Sequence, residues 1–101
     1  MKTEVSILHH DYPSAVRATV AEKLQHLDKY FDRTESVRAV LEKQHDVHRV
    51  ELLAQVRGQV LVVDSRSDSF SKALDGSLDR MARTLSKHKD KISDARRRPR
   101  Y

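Results

Sequence analysis

The last third of the chain places the strongest constraint on its fold. Phe70, Ala73, Leu74, Ser77, Leu78, Met81, Leu85 and Ile92 recur at 3.6-residue spacing. This spacing predicts one long helix from about Ser69 to about Ala95, with Asp68 or Ser69 as its N-cap. A helix striped in this way needs a long apolar surface to cover, and the rest of the chain has to supply it. A second stripe follows the start signal "HDYPS". Val16, Val20, Leu24, Leu27 and Phe31, with Tyr30 alongside, predict an amphipathic helix of about five turns that stops near "FDRTES".

Between and before these stripes the period changes to two. In "TEVSILH", Val5 and Ile7 face one way while Glu4 and Ser6 face the other. "SVRAVLE" puts Val37, Ala39 and Leu41 on one face. "HRVELLAQVRG" does the same with Val50, Leu52, Ala54 and Val56, leaving Arg49, Glu51, Gln55 and Arg57 opposite and Leu53 as the exception. Gly58 supplies a turn, and "QVLVVDSR" returns as the hairpin partner. With only two glycines and two prolines, the elements should be long and the links short. The predicted order is β-α-β-β-β-α, an α+β fold. Two striped helices cover one face of a four-stranded sheet, and the other face stays wet.

One hundred and one residues suit a single domain with one modest core. We expect residues 1–95 to form that domain and 96–101 to be a loose, disordered basic arm. No cysteine is present, which excludes disulfide and thiolate chemistry. "MKTEVSILHH" has no apolar run of signal-peptide or membrane-span length, so a cytoplasmic protein without a membrane partner is expected.

Charge is unevenly placed. Arg80 to Arg100 holds nine of the twenty basic residues and two acids, a net of +7, whereas residues 1–79 sum to −2. At 100° per residue, Arg80, Arg83, Lys87 and Lys91 fall in a sector of about 80°, away from the apolar stripe and about 16 Å long. No Glu–Lys pair at i,i+4 balances them. A solvated helix face would give the same pattern, but an unbalanced ridge carries self-repulsion that an anionic partner relieves. Arg96, Arg97, Arg98 and Arg100 can act as a phosphate-seeking arm. On the first helix Arg17, Lys23, Lys29 and Arg33 read as ordinary surface charge, with Lys23 at the edge of the stripe, its ammonium able to reach out.

Other chemistry finds little support. His9-His10-Asp11 and the pair His45 and His48 lack the spacing and ligand number of a zinc site, and no cofactor is expected. Gly58 and Gly76 stand apart, so there is no phosphate-cradling loop, and no nucleophile elbow or HExxH is present; an enzyme is not expected. The wet sheet face lacks the aromatics of a base-stacking platform. Three binding classes remain open: a specific RNA, structured RNA in general, and an acidic protein.

"LDKYFDR" followed by "ALDGSLDRMARTLSKHKDKI" resembles the short-form bacterial ribosome hibernation promoting factors, of the ribosome-associated translation inhibitor family, over about residues 3–93. The resemblance implies a fold similar to double-stranded RNA-binding domains. It also implies binding of the small ribosomal subunit (16S rRNA) in the messenger and transfer RNA channel, inhibition of translation in stationary phase, and ribosome pairing together with ribosome modulation factor. The free protein would be monomeric. The positions that match the family's RNA-contacting pattern are Lys23, Arg80, Arg83, Lys87, Lys89 and Lys91. Asp68-Ser69-Phe70 departs from the usual Asp-Met-Tyr by losing the hydroxyl. The basic tail differs from the acidic extension of the branch that keeps ribosomes single, which favours the pairing branch.

Overall fold

The computed structural model describes residues 1–9 and 11–97, the last five of these by backbone alone. Strand β1 (Lys2–Ile7) leads into helix α1 (Ala15–Gln25), which tightens into a 3-10 segment (His26–Lys29). Strands β2 (Ser36–Gln44), β3 (Val47–Val56) and β4 (Gln59–Ser67) follow, and helix α2 (Phe70–Arg97) ends the described chain. The sheet order is β1-β2-β3-β4. β2, β3 and β4 pair antiparallel through two short turns. β1 pairs parallel to β2, because α1 carries the chain back across the sheet before β2 begins.

The register turns the sequence alternation into rows of side chains that face the helices. One row runs Val5–Ala39–Leu52–Val63; its neighbours are Thr3–Val37–Ala54–Leu61 and Ile7–Leu41–Val50–Ser65. α1 sets Val20 and Leu24 on this surface, and α2 adds Ala73, Leu74, Met81 and Leu85, all buried in one core. Truncating a side chain of this kind to alanine typically costs about 2–5 kcal/mol. The buried hydroxyls of Ser77 and Thr34 are satisfied by the carbonyls of Leu74 and Phe31 at 2.8 Å. Among the described residues no buried polar side-chain atom lacks a partner.

Three expectations need correction. The first helix is not five uniform turns: its α-helical part has eleven residues and the 3-10 segment completes it. Leu24, Leu27 and Tyr30 are spaced by threes, and three residues per turn is the geometry that lines them up. Leu27 and Phe31 are thereby kept in the core. The last helix runs to Arg97, two residues past the expected Ala95. Arg57 does not join the wet sheet face; it stands in the β3–β4 turn beside Gly58, whose φ of 77° is readily adopted only by glycine. Of the two N-cap candidates, Ser69 takes the role, accepting from the Lys72 N–H at 3.4 Å.

The outer sheet face is polar around a central cluster of ion pairs. Arg49 contacts Glu51 at 2.8 Å, Asp64 at 3.1 Å and Glu42 at 3.5 Å. The hydrogen bond that Arg49 donates to the Asp64 carboxylate is the main reason its guanidinium is held more firmly protonated than usual, with further support from Glu51 and Glu42. At one edge the same face is apolar, where Val60 and Val62 are half exposed.

Candidate nucleic-acid interface

Helix α2 has two flanks, set by what each touches. Gly76 meets the β4 flank: a Cβ built on it would lie 2.5 Å from the Ser65 Oγ. One turn on, Arg80 donates from Nη1 to the Asp64 carbonyl at 2.9 Å. Lys87 and Lys91 continue this line by helical phase, and both are exposed. The opposite flank faces α1, where Lys23 Nζ lies 3.7 Å from the Asp75 carboxylate. Leu78 and Ala82 line the groove there with His26 and Lys29.

The predicted basic residues therefore differ in what they have left to offer. Arg80 already donates to the β4 backbone through one nitrogen. Arg83 pairs with Asp79 at 3.1 Å in an i,i+4 contact, so the ridge contains an acid–base pair after all. Both residues are largely exposed, and a surface pair of this kind contributes about 0.3–0.5 kcal/mol, which an incoming phosphate can displace. Lys23 is paired across the inter-helix groove with Asp75. The side chains of Lys87, Lys89 and Lys91 make no ion pair or hydrogen bond among the described residues. Lys89 lies roughly 160° around the helix from Lys87, on the α1 flank, and so stands outside the ridge. Arg96 and Arg97 are on the continuing α2 backbone, while Arg98 and Arg100 lie outside the described residues.

Two further cations were not singled out in the sequence as a pair. Arg33, after the 3-10 segment, and Arg57, in the β3–β4 turn, border one concavity with Phe31, His88 and Ile92. Neither has an intramolecular partner among the described residues. The only hint in the sequence was the arginine beside a turn glycine, and nothing in the periodicity joins it to Arg33.

The histidines are dispersed. His9 approaches Asp11 at 3.7 Å, and His10 lies outside the described residues. His48 faces inward, its Nδ1 2.7 Å from the Tyr12 hydroxyl, which donates to the Glu42 carbonyl at 3.1 Å. Phe70 packs on both rings, at 5.2 Å from Tyr12 and 5.9 Å from His48. Among the described residues no three His, Asp or Glu side chains are placed to share a metal ion. No described helix is long and apolar enough to cross a membrane.

The chain is similar to the ribosome hibernation promoting factor of Escherichia coli, at 35% identity over 78 residues that cover 77% of this chain and 82% of that protein. It is 28% identical over 91 residues to the factor of the same name from Pseudomonas putida, covering 90% and 89% of the two chains. Two solved structures share the fold. A ribosomal subunit interface protein from Coxiella burnetii superposes with a TM-score of 0.79 at 19% identity, covering 89% of this chain and 99% of that one. The N-terminal domain of Protein Y from Thermus thermophilus gives 0.75 at 23% identity, covering 87% and 99%. The family described as sigma 54 modulation protein / S30EA ribosomal protein matches residues 3–93, nearly the whole described fold, and the chain belongs to that family.

Proposed function

We propose that this protein is a ribosome hibernation factor that inhibits translation by occupying the messenger and transfer RNA channel of the small ribosomal subunit. The observation that carries this reading is that Lys87 and Lys91 of α2, continuous with Arg80 and Arg83, have no ion-pair partner among the described residues, in a chain of this family. The ridge grips 16S rRNA phosphates. Arg80 and Arg83 lie at its better-anchored end, and Arg96, Arg97 and Arg98 add charge for further phosphate contacts. Lys23 and Lys89 sit on the other flank of α2 and contact the same RNA from the α1 side. Shape and backbone dominate recognition of structured RNA, so base readout along the ridge is minor.

The factor promotes inactive ribosome pairing, acting on the same ribosome as ribosome modulation factor, and is monomeric when free. Residues 1–95 act as one ribosome-binding domain and 96–101 as an arm that adjusts affinity. Purified small subunits sedimented with the protein test the reading. Wild type co-sediments at low salt and is released by nuclease. Lys87→Glu with Lys91→Glu weakens binding at least about tenfold, since each lost phosphate contact removes part of the salt-dependent affinity. Unchanged co-sedimentation of the double variant removes the ridge from the mechanism, and a partner that survives nuclease identifies an acidic protein instead.

A further inference from the structure

The pocket bordered by Arg33 and Arg57 has a composition that differs from the rest of the surface. Phe31, His88 and Ile92 line it together with the two arginines. The His88 ring meets Phe31 edge to face at 5.2 Å, which holds the imidazole in place. Phe31 is buried, so the lining left accessible beside the arginines is the half-exposed His88 and Ile92. The cavity measures about 330 Å³, within the range of small-ligand sites. No carboxylate lines it, whereas four other concavities of the described surface each include one, from Glu42, Asp79 or Glu4. Arg33 and Arg57 are exposed and have no intramolecular partner among the described residues.

A half-exposed imidazole and the Ile92 side chain beside two exposed guanidinium groups match a ligand that is flat and aromatic at one end and anionic at the other. A bare phosphate or an acidic side chain gains nothing from the imidazole and Ile92. A base-paired duplex keeps its bases stacked inside and cannot reach it. An unpaired nucleotide uses both parts: the base rests on His88 and Ile92, and the phosphates meet the arginines. Stacking on side chains is tolerant of base identity, and arginine adds a cation–π contribution. The position fits as well, because Lys87 and Lys91 immediately precede His88 and Ile92 on α2. An RNA strand that follows these lysines passes the mouth of the pocket.

We propose that this pocket receives one unpaired nucleotide of the bound RNA, with Arg33 and Arg57 as its phosphate and stacking contacts. The proposal rests on the RNA-binding reading above and adds a single-strand contact to it. A short single-stranded RNA carrying one 2-aminopurine is titrated with the full-length protein. Wild type quenches the fluorophore, and an A-form duplex of the same sequence competes poorly. Arg33→Gln with Arg57→Gln abolishes quenching and weakens binding at least about tenfold, the scale of one lost base stack and its phosphate contacts. Lys87→Gln with Lys91→Gln weakens binding but keeps the quenching at saturation. All four positions are exposed, and unchanged thermal melts confirm that the variants fold. If the arginine pair keeps wild-type affinity and quenching while the lysine pair loses affinity, the nucleotide pocket is refuted and the ridge stands. If wild type binds without quenching, the arginines contact phosphate only, which also refutes the pocket. If neither pair alters binding to the RNA or to purified small subunits, the RNA reading itself fails.

Discussion

Gly76 is where the position of α2 is decided, and Gly76→Ala tests this. By helix propensity alone the change should stabilise the protein by about 1 kcal/mol, because glycine is the poorest non-proline residue in a helix interior. The close approach to β4 opposes this. The new methyl would sit 2.5 Å from the Ser65 Oγ and 3.3 Å from the Ser65 Cβ. The Oγ contact is too close to be absorbed and forces the hydroxyl out of its place or the helix off the strand, whereas the Cβ contact needs a shift of only a few tenths of an ångström. Overpacking of this kind costs about 1–3 kcal/mol, so we expect a net loss of about 1 kcal/mol, or about 4 °C or more in Tm for a chain of this size. The cleaner quantity is the coupling. Ser65→Ala deletes the Oγ, so Gly76→Ala should be close to neutral in that background, giving a coupling energy of at least about 1 kcal/mol in a double-mutant cycle. Urea and thermal unfolding of the four proteins by circular dichroism measure it. Stabilisation by Gly76→Ala of about 1 kcal/mol in both backgrounds would show that propensity alone governs the site and that the close approach is not a constraint.

Two other outcomes are expected. In the small-subunit assay, log affinity should fall linearly with log salt, and Lys87→Gln with Lys91→Gln should reduce the slope by about 1.4–1.8, at about 0.7–0.9 per phosphate contact; an unchanged slope would mean that these lysines do not meet phosphate. Burial raises the Tyr12 phenol above its ordinary value of 10.0, so folding favours its protonated form: this contribution is complete below about pH 10 and is lost as pH climbs through the folded-state value. Tyr12→Phe should therefore flatten stability against pH between about 9 and 11, while lowering it by about 1 kcal/mol at neutral pH through the lost hydrogen bond; identical pH profiles for the two proteins would contradict this.

Much of the fold was legible because a single period governs each element. Val37, Ala39 and Leu41, and Val50, Leu52, Ala54 and Val56, were assigned to the dry face by alternation, and all seven are fully buried. In the α2 stripe Ala73, Leu74, Ser77, Met81 and Leu85 are buried, while Phe70, Leu78 and Ile92 at its ends and edge are partly exposed. The 3-10 ending of the first helix was less visible, since residues spaced by three and by four both fit a broad apolar face. The Asp79–Arg83 pair could have been found by extending the i,i+4 comparison from glutamate to aspartate and one residue upstream of Arg80.

The sequence alone determined which side of each element turns inward and that positive charge gathers on one side of the last helix. Both follow from one chain segment and its own helical or pleated period. Only the tertiary structure decided which of those charges remain available. Lys23 is held by Asp75 on another element, and Arg80 leans on a β4 carbonyl, whereas Lys87 and Lys91 have no ion-pair partner among the described residues. It alone brought Arg33 and Arg57 to one pocket beside His88 and Ile92. Such juxtapositions depend on where a turn ends and how closely a helix lies on the sheet. At Gly76 that distance is set by the absence of one methyl group.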